Sequence, residues 1–345
     1  MSKQNIRTLT LSEIENYFIQ QQQPKYRAKQ LYEWLWQKHA TSFEDMSNIG
    51  KELKYHLKND FELLPLQLDA TQFSEDGTIK SRFKTHDGYL IEGVLIPTEE
   101  RKTACVSSQV GCSLSCKFCA TGKMDRKRNL TFDEIYDQVA MINKQSLSSY
   151  NQKLTNIVFM GMGEPLMNYA GVLKSIERIT AVDGLAMSPR RITVSTAGVA
   201  KQIKMLGDDQ VKFKLALSLH AANDKKRNEI MPINESNNIK SLIEALNHYY
   251  KQTGNKVTFE YILFKNFNDT LKDADELVKL YRQVPTDLIN IIEYNPIDGF
   301  DFVKPEEDVT EQFMNYLEKN RVNSRLRRSR GKDIDAACGQ LANKG

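Results

Sequence analysis

No run of apolar residues in this chain approaches the roughly 18 to 20 positions that a membrane span requires. The opening stretch, MSKQNIRTLTLSEIENYFIQQQQPKYRAKQ, is polar and charged and holds no apolar core of signal-peptide length. Both absences set the expectation of a cytoplasmic protein with no membrane partner. Cysteine is scarce, five among 345 residues. In a reducing compartment, five cysteines are ligands or reactive thiols sooner than stable staples. An excess of charge of one sign is also missing: 48 Lys and Arg against 44 Asp and Glu leave +4, which by itself argues only weakly for a nucleic-acid partner. There is no internal repeat, and low complexity is confined to QQQQ at 20–23. What is present is a globular composition, 40% hydrophobic, long enough to bury a substantial core in one large domain or two.

The basic charge gathers at the two ends. RVNSRLRRSRGK, at 321–332, carries Arg321, Arg325, Arg327, Arg328, Arg330 and Lys332 with no acid among them, a run suited to phosphate contact or to a solvated face. KYRAKQLYEWLWQKH mixes Lys25, Arg27, Lys29 and Lys38 with Tyr26, Tyr32, Trp34 and Trp36. For these aromatics the core of a small helical unit is the stronger reading and base stacking the weaker.

Periodicity divides the chain into three. LTLSEIENYFIQQ, YRAKQLYEWLWQKH and IGKELKYHLKND place apolar residues at three-to-four spacing, so 1–66 reads as a small helical accessory domain. Over 67–97 the period falls towards two, and QLDATQF, TIKSRFKTH and YLIEGVLIP, separated by EDG and HDG, read as an antiparallel β extension. From 98 to 345, six strand candidates at 103–110, 154–160, 190–197, 212–219, 256–264 and 288–295 alternate with amphipathic helices. One of those helices opens with Thr131 and Glu134 in capping-box spacing. The expected fold is α/β, a parallel sheet curled into a partial (β/α)6 barrel or wound open. Functional loops of such a barrel follow the C-terminal ends of its strands. The cysteine loop, GMGEP, STAG, SLH and YNP all fall there.

Cys112, Cys116 and Cys119 stand in C-x3-C-x2-C spacing, with Phe118 immediately before the third. Four thiolates would close a zinc site or saturate a cubane cluster; three leave one coordination position for something else. A zinc site completed by a distant fourth ligand, or three unrelated core cysteines, are the bland alternatives. In GMGEP, Gly163 permits close backbone approach and the Glu164 carboxylate can receive an ammonium. Ser195, Ser218, Leu219, His220 and Asn295 lie at three further strand ends, and their polar side chains are able to bond ribose, carboxylate or adenine.

The cysteine spacing resembles the signature of radical S-adenosylmethionine enzymes. There, three thiolates hold a 4Fe-4S cluster whose fourth iron is chelated by the cofactor, cleaved to give a deoxyadenosyl radical. Taken together, CVSSQVGCSLSCKFCATG, FMGMGEP, RRITVSTAG, LALSLHA, YNP and RRSRGKDIDAACGQL resemble the RlmN-type RNA adenine methyltransferases over nearly the whole chain. The resemblance implies methylation of adenine carbon 2, a position whose proton is not acidic enough for polar methyl transfer. It implies that 98–345 is a radical S-adenosylmethionine core ending in a catalytic-cysteine tail, and that the helical domain binds RNA. Two S-adenosylmethionine molecules serve each turnover of such enzymes. One methylates the cysteine corresponding to Cys338; the radical from the second makes that methyl reactive towards the base. Cys105 corresponds to the residue that releases product through a transient disulfide, and Glu92 to a proton acceptor, a task within a carboxylate's reach.

The implied substrates are an adenosine of the peptidyl-transferase region of 23S rRNA and the adenosine 3′ of the tRNA anticodon, each unstacked to be reached. A monomer supplied with electrons by a donor such as flavodoxin and its reductase completes the expectation. A Cfr-type carbon 8 methyltransferase is the nearest rival, although Pro165, CVSSQVGC and VLIP look RlmN-like. A non-catalytic RNA-binding protein with zinc on its cysteines is the rival from another class.

Overall fold

The computed structural model describes residues 3–343. It starts with a two-residue strand, β1 (Gln4–Asn5), and three helices: α1 (Leu11–Gln20), α2 (Tyr26–Trp36) and α3 (Lys51–Asp60). Thr10 and Glu13 close a capping box on α1, and the helix turns Ile14 and Phe18 inward. Leu31, Leu35 and Trp36 of α2 and Leu53 and Leu57 of α3 fill the same small core. Strand β2 (Phe61–Glu62) then pairs in parallel with β1.

A meander follows, β3 (Gln67–Phe73), β4 (Ile79–Lys84) and β5 (Leu90–Pro97), with its hairpins at EDG and HDG. It runs directly into β6 (Lys102–Cys105), which pairs antiparallel with β5 and opens the parallel series. The single strand expected over 103–110 is in fact two. Beyond Cys105 the chain leaves the sheet, because Ser107 and Ser108 bond outside the ladder. Ser107 donates its backbone N–H to Gln138 (2.8 Å) and its hydroxyl to the Glu92 carbonyl (2.6 Å), and Ser108 donates to the Met162 carbonyl (2.8 Å). Gln109–Val110 then forms β7, paired with β8 (Arg128–Asn129), and the cysteine loop lies between them.

The alternation proceeds as α4 (Phe132–Tyr150), β9 (Asn156–Phe159), α5 (Tyr169–Thr180), β10 (Ile192–Thr196), α6 (Ala200–Asp208) and β11 (Lys214–Ser218). Next come α7 (Asp224–Ile230), α8 (Ile239–Thr253), β12 (Val257–Leu263), α9 (Leu271–Tyr281), β13 (Thr286–Glu293), α10 (Glu307–Lys319) and β14 (Ser324–Arg327). Glu134 closes the start of α4 by accepting the Thr131 N–H at 2.9 Å, as the sequence spacing requires. All ten long strands share one sheet, in the order β14-β13-β12-β11-β10-β9-β6-β5-β4-β3. The six expected parallel strands are joined by a seventh, β14, which comes from the basic run at 321–332. Part of that run is thereby engaged by the sheet and the barrel. Arg325 bonds Asn290 (2.6 Å), Lys332 pairs with Glu293 (2.8 Å), and Arg327 reaches into the barrel.

The helical unit is fixed to α4. Buried Arg7 bonds both oxygens of buried Asp137 at 2.7 Å, and the Tyr136 hydroxyl donates to the Trp36 carbonyl. Among the described residues, no helix is long and apolar enough to cross a membrane.

Candidate active site

The C-terminal ends of the parallel strands surround a cavity with about 1150 Å³ of empty space, its open mouth included. Cys112, Cys116 and Cys119 sit on one wall, and Gly163, Glu164, Ser195, Ser218 and His220 on the adjacent one. Cys105, Arg327 and Cys338 also border the cavity, so ten of the thirteen residues proposed from the sequence for catalysis, cofactor or cluster reach one space.

The cysteine loop is held by its neighbours. Lys117 donates to the Ile230 carbonyl (3.0 Å) and Ala120 to the Gly339 carbonyl (2.7 Å), which ties the loop to both α7 and the C-terminal tail. Phe118 meets the His220 ring edge-on at 4.6 Å, so the aromatic before the third cysteine anchors the loop to the end of β11. Burial pushes all three thiols above their ordinary range, Cys112 to about 11. They are thus neutral until a metal displaces their protons. A single zinc with about 2.3 Å bonds would draw three sulfurs to about 3.8 Å from each other. Among the described residues, these three do not all lie within 4.8 Å of one another. That wider spacing suits a cluster, in which each thiolate serves a different iron, better than it suits one ion.

Gly163 sits at φ +93°, and a Cβ there would come within 2.5 Å of Gln109 Cβ. Only glycine makes this turn at this distance. The Glu164 carboxylate accepts N–H groups from Leu166 (3.0 Å) and Ala197 (2.7 Å), so it braces the β9 and β10 loops, and its burial raises its pKa. Each oxygen keeps a lone pair, and within this apolar pocket a cationic ligand would offset its buried charge. The Ser195 and Ser218 hydroxyls lie 3.2 Å apart. His220 has φ +55°, and its Nδ1 accepts the Ile262 N–H at 3.1 Å. The ring proton is therefore on Nε2, and burial, reinforced by the Arg227 charge, depresses the pKa to about 3.

Three of the named residues do not line the cavity. Leu219 is buried behind it, its carbonyl accepting from Arg227 at 3.2 Å. Asn295 donates its side-chain amide to the Cys338 carbonyl at 3.2 Å and so supports the tail. Glu92 is 1% exposed, lies 3.6 Å from Lys80, and accepts the backbone N–H groups of Ala342 (2.9 Å) and Asn343 (3.0 Å) on one oxygen. Cys105 and Cys338 are both free thiols. Burial pushes Cys105 up to about 12 and Cys338 to about 11, and the Arg327 charge opposes both shifts. Cys338 is accessible through the cavity although protein surrounds it.

Two residues at the site, Arg227 and Glu260, escaped the sequence reading, and Arg327 was singled out only as one member of a basic run. Arg227 is fully buried and donates to Ala197 (2.6 Å), Leu219 (3.2 Å) and Asn234 (2.6 Å), which locks the β10 and β11 loops together. Glu260 and Arg327 face one another across the cavity wall. The only trace of Glu260 in the sequence is a lone acid within the apolar strand KVTFEYILF.

Residues 4–63 match the family described as ribosomal RNA large subunit methyltransferase N-terminal domain, and residues 106–280 match the radical SAM superfamily. A protein of Cytophaga hutchinsonii named "Probable dual-specificity RNA methyltransferase RlmN" is 56% identical over 100% of this chain and 94% of its own. The "Dual-specificity RNA methyltransferase RlmN" of Nautilia profundicola is 42% identical over 93% of this chain and 94% of its own. The chain belongs to the RlmN family. The crystal structure of a radical SAM methyltransferase from Sphaerobacter thermophilus superposes with a TM-score of 0.93 at 38% identity, covering 99% of this chain and 100% of that one. The radical SAM match spans Cys112 to His220 but leaves out Glu92, Cys105, Asn295 and Cys338.

Proposed function

We propose that this chain methylates carbon 2 of adenine in RNA, with the peptidyl-transferase region of 23S rRNA and the tRNA position 3′ of the anticodon as its substrates. The observation that carries the reading is the meeting of Cys105 and Cys338 in the same cavity as the three clustered cysteines. Cys112, Cys116 and Cys119 would hold a 4Fe-4S cluster, and the wall from Gly163 to His220, with Asn295 nearby, would hold S-adenosylmethionine. Bound there, these groups supply the methyl group and the radical that activates it.

Cys338 is the methyl carrier. Its carbonyl is held by Asn295, and the adjacent Gly339 accepts from Ala120 of the cysteine loop, so this part of the tail is held against the loop that would carry the cluster. Cys105, at the end of β6, is the resolving thiol that forms a transient disulfide with Cys338 as product leaves. Glu92 accepts the carbon 2 proton; its bonds to Ala342 and Asn343 tie that acid to the same tail that bears the methyl. The helical unit, division 1–66, serves as the RNA-binding domain, with the β extension at 67–97 joining it to the core at 98–345. Arg328, exposed where β14 passes into the tail, is the phosphate contact left after β14 takes up part of the basic run. Electrons come from a flavodoxin-type donor, and the enzyme works as a cytoplasmic monomer.

Anaerobic turnover with S-adenosylmethionine deuterated at its methyl group tests the reading. The expected product is 2-methyladenosine that keeps two of the three deuterium atoms, since one leaves when the Cys338 methyl is activated. An intact three-deuterium methyl would refute the Cys338 route, and 8-methyladenosine would refute the carbon 2 assignment.

A further inference from the structure

One acid in the cavity has bonding capacity that nothing described so far uses. Glu260, in the middle of β12, is 4% exposed. Its Oε1 accepts the Asn290 amide at 2.6 Å, while its buried Oε2 has no hydrogen-bond partner. Asn290 is itself oriented, since its carbonyl oxygen accepts from Arg325 Nε at 2.6 Å. That chain of bonds presents Glu260 to the cavity as a fixed acceptor. Arg327 stands beside it with Nη1 3.6 Å from Oε2, beyond hydrogen-bond reach, and the same nitrogen donates a long bond to Met160 Sδ at 3.8 Å. Neither member of the pair is saturated, and a buried ion pair left in that state is costly unless a ligand completes it.

Both side chains line the cavity that also holds the reacting sulfurs. The Arg327 charge opposes the upward shift of both the Cys105 and the Cys338 thiol. In the sheet register Glu260 stands level with Asn290 and Arg327 level with Ile292, and the Cys338 carbonyl is held by Asn295 past the strand end, so Arg327 is the middle member of the series Glu260, Arg327, Cys338. Adenine offers a matching series along its Watson–Crick edge: the 6-amino donor, then the N1 acceptor, then carbon 2. A flipped base is commonly read on that edge.

We propose that Glu260 and Arg327 form the base-reading site for the target adenine, Glu260 Oε2 accepting from the 6-amino group and Arg327 donating to N1, which turns carbon 2 towards Cys338. The assignment rests on the function proposed above and adds the specificity determinant. Guanine and hypoxanthine present the opposite pattern, an oxygen at position 6 and a hydrogen on N1. They would set acceptor against carboxylate and donor against guanidinium.

The test uses the iron-loaded full-length enzyme and two anticodon-type RNA hairpins that differ only at the target base, adenosine in one and purine riboside, which lacks the 6-amino group, in the other. For the wild type, kcat/KM should fall roughly 10- to 150-fold on the purine hairpin, the range for losing one hydrogen bond to a charged group. For Glu260→Ala, slower on both, the two hairpins should agree within about twofold, because uncoupled changes are additive. Equal use of both hairpins by the wild type would overturn the proposal with no variant needed. So would a tenfold or greater loss of S-adenosylmethionine affinity in Glu260→Ala with base discrimination retained, which would assign the carboxylate to the cofactor. Absence of 2-methyladenosine from the adenosine hairpin would overturn the underlying function, and this inference with it.

Discussion

Glu92→Ala separates two tasks that the geometry assigns to one carboxylate. The substitution removes the oxygen that accepts both the Ala342 N–H (2.9 Å) and the Asn343 N–H (3.0 Å). It also strands the Lys80 ammonium, 3.6 Å away and 5% exposed, without its partner. Each amide-to-carboxylate bond contributes about 1.5 to 3 kcal/mol, so the two restrain the end of the tail by about 3 to 6 kcal/mol against local opening. Hydrogen exchange followed by mass spectrometry on peptides covering 331–343 reads this directly. The Ala342 and Asn343 amides should exchange roughly 10²- to 10⁴-fold faster, while amides on the meander strands change far less. Breaking the buried pair should also lower global stability by about 3 to 5 kcal/mol. Unchanged exchange at the tail would refute the anchoring argument. The double variant Glu92→Gln with Lys80→Met keeps an acceptor oxygen for the tail and removes both charges. If that variant holds the tail but turns over no RNA, Glu92 acts on the proton as well as on the tail. If it turns over normally, Glu92 is an anchor alone.

Two further outcomes follow from the same geometry. Alkylation of Cys338 should be slow at pH 8 and rise about tenfold per pH unit until pH about 11, because its thiol, reached through the cavity but surrounded by protein, ionises only there; a plateau near pH 9 would contradict the desolvation argument. Cys105, raised to about 12, has a stability counterpart. Its contribution is fully present below the unfolded thiol value near 9 and is lost as pH climbs towards 12, so the metal-free protein should unfold more readily over that window. Gly163→Ala forces a side chain to φ +93° and brings a Cβ to 2.5 Å from Gln109. The clash and strain together should destabilise by about 2 to 4 kcal/mol and abolish S-adenosylmethionine binding measured by calorimetry. Wild-type affinity would show that the turn relaxes without harm.

Much of the barrel was legible because each strand and helix carries its own period. Apolar runs such as LTNIVFM and KFKLALSL need no partner to be recognised as strands, and Thr131 with Glu134 marks a helix start within four residues. The strand at Ser324–Arg327 was not legible for the opposite reason. SRLR has no apolar run, and it becomes a strand only because the exposed edge of β13 accepts it. Local pattern likewise overran at Ser107 and Ser108, whose fate is set by side chains on α4 and by Met162, far along the chain. Among the site residues, those at strand ends were found by position. Arg227 sits on a short helix whose charges look solvated, and Glu260 alternates as an ordinary strand residue would. Their burial is a property of the assembled barrel alone.

The sheet order explains why so distant a set of residues meets. Continuation of the meander into the barrel puts β5 next to β6, so Glu92 and Cys105 lie on neighbouring strands although thirteen positions separate them. At the opposite edge, β14 delivers the chain past the cavity with Arg327 inside, and the tail then crosses back to β5, where Glu92 receives it. Asp333 bonds Ser74 (2.6 Å) on the way, and Gly331 bonds Asp76 (2.9 Å), so the return path is fixed by the first hairpin of the meander. The tail therefore bridges the two ends of an otherwise open sheet. Cys338 lies midway along that bridge, and a substitution in the hairpin, remote from the cysteines in sequence, should move the sulfur as surely as one beside it.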